Sequence, residues 1–308
     1  MKTRHQKAQA FLAELASNSP ELPFETTLLP ELFASTADTS MKSTTHIATL
    51  VERSQGLATR ILRVANSAYY GMPTSVSSLS HAIRLLGLNE VRNIILQLGV
   101  SSVIQKMKLP KLFPFQELWE HQLLTATLAR TIAHAMPSGS LSKSEGVTPD
   151  ELYSAGLLHD MGKTLIASSC PDDWTAISDL AACEEIPFYK AEEDYWGIDH
   201  SVVGARLLTF WGLPAKLTEP VGWHHVPQHA RPEYQTATSI LASANILSHY
   251  PVASLTVETE DESEPVLELP EEVAGLLPEN ADRAKLLNGL AECFDMDRVR
   301  SMAQVAMG

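Results

Sequence analysis

Apolar residues recur at helical spacing along this chain, and no convincing segment alternates apolar and polar residues as a half-buried strand would. Because positions i, i+3, i+4 and i+7 share one face of an α-helix, this spacing predicts amphipathic helices. Proline and glycine then divide the chain into pieces of helix length. The sequence therefore predicts an all-α protein. Two of its apolar stripes are formed by Leu57, Ile61, Val64 and Ala65, and by Val91, Ile94, Ile95 and Leu98.

Several predicted helices begin with residues that cap a helix well. Ser78 and Asp199 precede helical patterns, and Thr148 is followed by proline and then by two acidic residues in the first turn. The predicted helices lie near 4–18, 25–38, 43–53, 56–67, 78–86, 89–106, 115–136, 149–159, 172–183, 199–211, 214–222 and 234–249, with a short helical tail at 271–306.

Composition is typical of an ordinary packed protein. The chain has 308 residues, 44% of them hydrophobic, which is ample for a core. No apolar stretch approaches the roughly 20 residues that span a bilayer, and the first residues do not form a secretory segment, so we expect a cytoplasmic protein without membrane contact. The three cysteines are far apart, which argues against a disulfide framework or a thiolate zinc site.

The formal net charge is −14, which on average would repel the phosphate backbone of a nucleic acid. Arginines at helical intervals usually lie on a solvated face. Nucleic acid is therefore not expected as a partner, and the one basic segment that could bind it contains Arg53, Arg60, Arg63, Arg84 and Arg92.

The run from Gly156 to Lys163 reads GLLHDMGK and places adjacent His159 and Asp160 at the end of an apolar stretch. Imidazole together with carboxylate is a ligand mixture that suits iron, manganese, nickel or zinc. Metal binding is therefore the first hypothesis. The candidate ligands are His121, His159, Asp160, His200, His224 and His225.

Neighbouring helical residues point about 100° apart, so His159 and Asp160 can reach one site only at a frayed helix end. Gly162 would let the backbone turn close by. Taken singly, each histidine is more often a surface or hydrogen-bonded core residue, and His46, His81, His134 and His249 are given no role. The combination of candidates, and no single histidine, indicates a site.

Three stretches resemble the HDOD family, a branch of the HD superfamily of metal-dependent phosphohydrolases. They read LATRILRVANSAYYG from Leu57 to Gly71, VSSLSHAIRLLG from Val76 to Gly87, and GIDHSVVGARLLTFWGLP from Gly197 to Pro214. His159 and Asp160, with His121 on an earlier helix, match the HD pattern itself. The resemblance covers roughly residues 20–250.

This resemblance implies an amino-terminal helical subdomain at 1–112 that packs on an HD-like core at 113–255. Beyond the resemblance, the concentration of acidic residues after Val257 predicts a solvated loop and then a helical tail, at 256–308. HDOD proteins are mostly bacterial signalling components. Many are thought to have lost hydrolase activity and to regulate protein partners.

The chain keeps the His-Asp pair that many HDOD proteins lack, and in this it resembles the HD-GYP phosphodiesterases. The stretch after His225 reads VPQHARPEY and has no Gly-Tyr-Pro, which argues against cyclic dinucleotide recognition. Asn245 stands where the superfamily has a late aspartate. An amide compensates less cationic charge than a carboxylate, so we expect one ion or a weakly bound pair.

Two functions stay open. The first is a regulatory protein with a retained metal site and little or no hydrolase activity. The alternative is an active metal-dependent phosphohydrolase, acting on a phosphorylated small molecule or nucleotide, in which Asp160 bridges metals and Lys163 neutralises a phosphate oxygen. Lys163 could equally be solvated or paired with Asp172 and Asp173. Near Gly71, Asn66, Tyr69 and Tyr70 are read as a helix end that packs at a subdomain junction.

Overall fold

The structure is a computed structural model. It describes residues 4–24, 27–36, 41–67, 76–137, 140–141, 146–250, 256–257, 266–267, 269–277 and 281–293. These residues form α-helices, two short 3₁₀ helices and one pair of two-residue antiparallel strands, in which Thr256 pairs with Leu267 and Val257 with Val266. The predicted all-α fold is confirmed. None of the helices in this described part combines the length and the apolar character that a bilayer span needs.

The chain forms two compact units. One contains the described residues of 20–107 and 209–214, and the other contains the described residues of 1–19, 108–208 and 215–300. We refer to the first as the small unit and to the second as the large unit.

The small unit is a bundle of helices around an apolar core that includes Leu32, Ile47, Ile61 and Ile95. Ser78 caps one of its helices, since its hydroxyl accepts a hydrogen bond from the backbone N–H of His81. The helices are α2 (Leu28–Thr36), α3 (Met41–Glu52), α4 (Gln55–Ala65), α5 (Leu79–Leu86) and α6 (Leu88–Ile104).

Two sequence-based predictions concern this unit. Asn66 is the residue that ends α4, as predicted, whereas Tyr69, Tyr70 and Gly71 lie outside the described residues. Arg92 does not belong to a basic surface, because its side chain is buried and its guanidinium lies 4.7 Å from the ring centroid of Phe33. One of the five arginines of the candidate nucleic-acid surface therefore lies in the core and cannot contact a nucleic acid.

The large unit contains all six candidate ligands. Its 3₁₀ helices lie at Pro227–His229 and Pro232–Tyr234, within the stretch that lacks Gly-Tyr-Pro. The α-helices are α1 (Arg4–Ser17), α7 (Phe115–Ala135), α8 (Pro149–Leu158), α9 (Met161–Ser169), α10 (Pro171–Glu184), α11 (Phe188–Trp196), α12 (His200–Phe210, whose last two residues belong to the small unit), α13 (Ala215–Trp223), α14 (Gln235–Leu247), α15 (Glu271–Ala274) and α16 (Arg283–Cys293).

Local signals set the ends of these helices. Thr148 and Glu151 form the full reciprocal capping box at the start of α8, with Pro149 at the first helical position. Asp199 precedes α12 as predicted, and its carboxylate accepts a hydrogen bond from the backbone N–H of Ser201. The predicted tail appears as α15 and α16 only, and residues after 293 lie outside the described residues.

Helix α1 packs on α11 within the large unit. The rings of Phe11 and Trp196 have centroids 4.9 Å apart, and Lys7 donates a hydrogen bond to the hydroxyl of Tyr195 at 3.2 Å. Asp173 on α10 accepts from both Tyr195 and Trp196. Helix α1 is thereby packed against α10 and α11, which belong to the unit that contains the candidate ligands.

A close approach of α7 and α8 brings two of the candidate ligands together. A Cβ at Gly156 would lie 2.4 Å from the Cα of Ala126, so only glycine allows the two backbones to pack this closely. His121 lies on α7 and His159 follows directly after α8. Glycine at position 156 therefore sets the distance between the two imidazoles.

Candidate metal centre

The adjacent His159 and Asp160 lie at a junction between two helices. Helix α8 ends at Leu158, His159 is its C-cap residue, and Asp160 immediately precedes α9, which starts at Met161. Both side chains are fully buried. The break between the helices is what allows neighbouring residues to reach one site, as the sequence predicted.

The carboxylate of Asp160 lies between histidines from three directions. Its Oδ2 atom is 3.4 Å from the Nε2 atoms of both His121 and His159. Its Oδ1 atom is 3.0 Å from Nε2 of His200, the first residue of α12. Each carboxylate oxygen therefore faces a different set of imidazoles.

Gly162 explains how α9 comes close enough to α12 for this contact. A Cβ at position 162 would lie 1.9 Å from the backbone oxygen of His200 and 3.0 Å from the backbone nitrogen of Gly204. The expectation that Gly162 makes a backbone turn is wrong, because Gly162 is helical and lies inside α9. Its role is close packing between two helices.

The potential ligand atoms fall into two groups. In each group the three ligand atoms lie within 4.8 Å of one another. We call His121, His159 and Asp160 the first group, and His200, His224 and His225 the second group.

Hydrogen bonds fix the tautomers in the first group. His159 donates from Nδ1 to the carbonyl oxygen of Gly156 at 2.8 Å. Ser248 donates its hydroxyl proton to the carbonyl of Asn245, so the same hydroxyl oxygen accepts from Nδ1 of His121 at 3.0 Å. In the neutral imidazoles both Nε2 atoms then carry lone pairs, and they are 3.2 Å apart. Two lone pairs at this distance repel each other unless a cation accepts both.

Hydrogen bonds also orient the imidazoles of the second group. His224 donates from Nδ1 to the carbonyl of Val221 at 2.7 Å, which leaves its buried Nε2 with no hydrogen-bond partner. Glu192 accepts from both Nδ1 of His200, at 2.5 Å, and the backbone N–H of His200, at 2.9 Å. Nε2 of His225 lies 3.0 Å from Nε2 of His200. A backbone carbonyl or a carboxylate that binds one ring nitrogen orients the other nitrogen for a metal.

The electrostatics of the two groups differ. Burial lowers the pKa of His159 to about 3, with repulsion from His121 and Lys163 adding to the effect, so this imidazole is neutral and can ligate. Burial also lowers the pKa of His200, but the Glu192 and Asp160 carboxylates outweigh it and raise this pKa to about 9. The surroundings of His200 thus favour positive charge, which either a proton or a metal ion could supply.

Burial and neighbouring charged or polar groups also shift the pKa values of Asp160, His224 and His225. Burial alone would raise the pKa of the Asp160 carboxyl, but the electrostatic influence of His159 and Lys163 and the nearby imidazoles of His121 and His200 lower it well below its usual range. Burial and neighbouring imidazoles lower the pKa values of His224 and His225 below the ordinary histidine value. The set combines one carboxylate with imidazoles, of which His159, His224 and His225 are kept neutral, and this is a donor mixture that iron, manganese, nickel and zinc accept. The residues fit a divalent metal.

Lys163 contacts the same carboxylate. Its ammonium donates to Oδ2 of Asp160 at 2.7 Å, and its side chain is 20% exposed. Of the alternatives that the sequence left open, the structure has Lys163 beside the site and paired with Asp160. This places a cation next to the first group.

A cavity of about 680 Å³ opens beside the first group. His121, Lys163, Ser248 and His249 contribute to its lining, and the other lining residues are mainly apolar or aromatic. The first group is therefore accessible to a small molecule.

Three residues that support the site carried no recognisable signal in the sequence. Glu192 stands in an acidic run on α11 that is typical of a solvated face, yet its side chain is fully buried against His200. Ser248 holds His121, and His249 stacks on His121 with ring centroids 4.8 Å apart, although His249 was given no role. Asn245 enters the described contacts through its carbonyl, which links α14 to Ser248 and His121.

Comparison with known proteins gives one family. The model of the HDOD domain matches residues 22–227. An uncharacterized protein of Treponema pallidum (strain Nichols) is 25% identical over 246 residues, which are 80% of this chain and 45% of that protein. The chain thus spans less than half the length of that relative.

Solved structures share the fold. An HDOD domain protein of unknown function from Geobacter sulfurreducens is 22% identical, with a TM-score of 0.70 and 97% of both chains covered. A candidate phosphohydrolase from Shewanella amazonensis SB2B is 21% identical, with a TM-score of 0.68, and 97% of this chain and 98% of that one are covered. A candidate signal transduction protein from Marinobacter aquaeolei VT8 is 19% identical, with a TM-score of 0.71, over 99% of this chain and 67% of that one.

Proposed function

Since the chain belongs to the HDOD family, we propose that it is a regulatory protein of signal transduction that binds divalent transition metal ions at the cluster around Asp160. The observation that carries metal binding is the pair of Nε2 atoms of His121 and His159, 3.2 Å apart with their Nδ1 atoms already engaged. A cation is the simplest partner for two converging lone pairs. We propose that it is iron, manganese, nickel or zinc.

The position of Asp160 supports the binding of a second ion. Its Oδ2 atom faces the first group and its Oδ1 atom faces His200 in the second group, so one carboxylate can bridge two ions. Asn245 stands where the family resemblance expects a further carboxylate. Because an amide contributes no negative charge, we expect the two ions to be held with unequal strength.

Elemental analysis of the purified full-length protein tests this proposal. We expect close to one or two equivalents of a transition metal, and a melting temperature that rises when manganese, iron, nickel or zinc is added to metal-free protein. Protein that purifies without metal, and whose melting temperature does not change on addition of any of the four ions, would contradict metal binding.

A second candidate function is hydrolysis of a phosphate ester, and the cavity beside Lys163 favours it. When bound, a divalent ion supplies a water of lowered pKa and polarises a phosphate oxygen. Lys163 would then neutralise a non-bridging phosphate oxygen from its position next to Asp160. The buried His159 and Asp160 would hold their geometry without competition from bulk water.

Activity assays separate the two candidates. Metal-loaded protein is incubated with nucleotides, cyclic nucleotides and a chromogenic phosphodiester, beside the Asp160→Ala variant. A regulatory protein releases no phosphate or alcohol from any of them, although it holds its metal. Metal-dependent turnover that Asp160→Ala abolishes would establish the hydrolase instead.

A further inference from the structure

The cavity beside the first group has two chemically different parts. One part is polar and contains His121, Lys163, Ser248 and His249. These residues contact one another or the site directly, since Ser248 bonds to His121, His249 stacks on His121, and Lys163 bonds to Asp160. The polar part is therefore continuous with the proposed metal site.

The other part is an aromatic wall that we define as Phe113, Trp174 and Phe188. The ring centroids of Phe113 and Trp174 are 5.0 Å apart, and those of Trp174 and Phe188 are 4.7 Å apart, both in tilted contact. Rings in such contact present a continuous apolar surface with well-defined shape. A surface of this kind favours a flat apolar group over a flexible polar one.

Leu112 extends this apolar part toward solvent. Its side chain lines the cavity and is 95% exposed, so it contributes little burial energy to the stability of the fold. A bound molecule with an apolar group would cover part of this exposed surface. Burial of apolar surface would then contribute to the binding free energy.

The charges of the lining restrict the molecule further. Among the described residues that line the cavity, Lys163 is the only lysine or arginine, and it already pairs with Asp160. Glu117 and Glu120 also line the cavity. One cation beside the metal site suits one phosphate group, and the two carboxylates disfavour further negative charge elsewhere on the molecule.

We propose that this cavity binds a small phosphate monoester whose organic part is flat, apolar and uncharged. The phosphate lies at Lys163 and the metal site, and the organic part lies against the aromatic wall and Leu112. The placement of the phosphate rests on the proposed metal binding, whereas the preference for a flat apolar group rests on the wall alone.

Non-hydrolysable phosphonates test the proposal by calorimetry on full-length, manganese-loaded protein. Phenylphosphonate and methylphosphonate share the same charged group and differ in the ring. We expect phenylphosphonate to bind roughly 10- to 100-fold more tightly, as burial of one aromatic ring implies. Equal binding of the two probes, or binding of neither by protein that holds its metal, would overturn the proposal.

Variants test whether the aromatic wall causes the preference for phenylphosphonate over methylphosphonate. Trp174→Ala should reduce the preference for phenylphosphonate to near unity and leave methylphosphonate binding as it was. Leu112→Ser is the safer companion, because an exposed side chain can be changed without unfolding the protein, and it should reduce the preference several-fold. Phe210→Ala removes a partly exposed aromatic ring outside the cavity and should change nothing. A preference unchanged in both Leu112→Ser and folded Trp174→Ala would overturn the assignment.

A charged probe tests the role of the acidic lining. We expect 4-carboxyphenylphosphonate to bind more weakly than phenylphosphonate, and Glu117→Gln to narrow that difference. Tighter binding of the carboxylated probe would refute the requirement for an uncharged group. Metal analysis of the same samples separates this inference from the proposed function, because protein without metal contradicts metal binding itself, whereas metal-loaded protein without ring preference contradicts only the inference.

Discussion

The two groups of ligands that meet at Asp160 each contain one partly exposed imidazole, and they differ in access to the cavity and in the residues that orient them. In the first group, the side chain of His121 is 14% exposed and lines the cavity, and neutral oxygens from Gly156 and Ser248 orient the two imidazoles. In the second group, the side chain of His200 is only 1% exposed and bonds to the carboxylate of Glu192.

This difference suggests a division of labour between the groups. A carboxylate behind a ligating imidazole makes the imidazole a stronger donor and offsets part of the charge of the metal. The second group should therefore hold its ion more tightly. The first group, with neutral support and an open side, should hold its ion less tightly and be the place where another molecule arrives.

Replacing the residue that both groups share should have the largest effect. Asp160→Ala removes the only carboxylate among the proposed ligands, so we expect both ions to be lost. At a metal concentration about 100 times Kd, one bound ion stabilises the fold by about 2.7 kcal/mol, so the variant should lack a metal-dependent rise in melting temperature of several degrees. Elemental analysis and thermal unfolding measure the two effects.

Asp179→Ala is the matched control, because Asp179 is an exposed aspartate on α10. It should keep the metal content and the melting behaviour of the wild-type protein. If Asp160→Ala retains one full equivalent of metal, one group binds without the shared carboxylate, and the bridging role of Asp160 is wrong.

Increasing the distance between the groups should have the next largest effect. Gly162→Ala would place a Cβ 1.9 Å from the backbone oxygen of His200, and a backbone atom cannot move aside as a flexible side chain can. Overpacking typically costs about 1–3 kcal/mol, and we expect a loss of free energy of unfolding at the upper end of that range or beyond. Urea unfolding of metal-free protein measures it.

Gly56→Ala provides the contrast. Nothing lies within 4 Å of a Cβ at position 56, which is in α4, so alanine should leave stability unchanged or raise it by up to about 1 kcal/mol. Equal stabilities for the two alanine variants would show that α9 and α12 do not need their close approach.

Removing the negative charge behind the second group should weaken that group alone. Glu192→Gln keeps the shape and an oxygen acceptor for His200 but loses the charge. Loss of a supporting carboxylate lowers metal affinity roughly 10- to 100-fold. Manganese titration against a competing chelator should show the tighter of two ions weakened and the other unchanged.

Glu193→Gln is the control for this variant, since Glu193 is the next residue, has a side chain that is 40% exposed and pairs with Lys190. It should titrate as the wild-type protein does. If Glu192→Gln weakens both ions equally, the two groups act as one unit and the proposed division of labour fails.

The sequence predicted much of this arrangement, and the reasons are local. Adjacent His159 and Asp160 form a local pattern, the capping box at Thr148 involves residues three apart, and helical stripes have a fixed period. These signals are complete within a few residues of the chain. They therefore predicted the helices and the junction that carries the pair.

The residues that sequence reasoning missed act across the fold. Glu192 resembles its neighbour Glu193 in sequence, and only the packing of α11 buries the side chain of Glu192 fully and leaves that of Glu193 40% exposed. Ser248 contacts His121 from 127 positions away. Arg92 lies in the core beside Phe33, although its spacing is typical of a solvated face. Tertiary packing decides each case, and no local pattern encodes it.

The smallest expected effect concerns the neutral support of the first group. Ser248→Ala removes the oxygen that accepts from Nδ1 of His121, and a neutral hydrogen bond contributes about 0.5–1.5 kcal/mol. We therefore expect the more weakly held ion to bind about 2- to 12-fold less tightly, with the tighter ion unaffected, in the same chelator titration. Ser178→Ala is the control, because Ser178 also lines the cavity but bonds within α10 to the carbonyl of Trp174. A Ser248→Ala variant that instead weakens the tighter ion would reverse the assignment of the two groups, since the imidazole that lines the cavity would then belong to the stronger site.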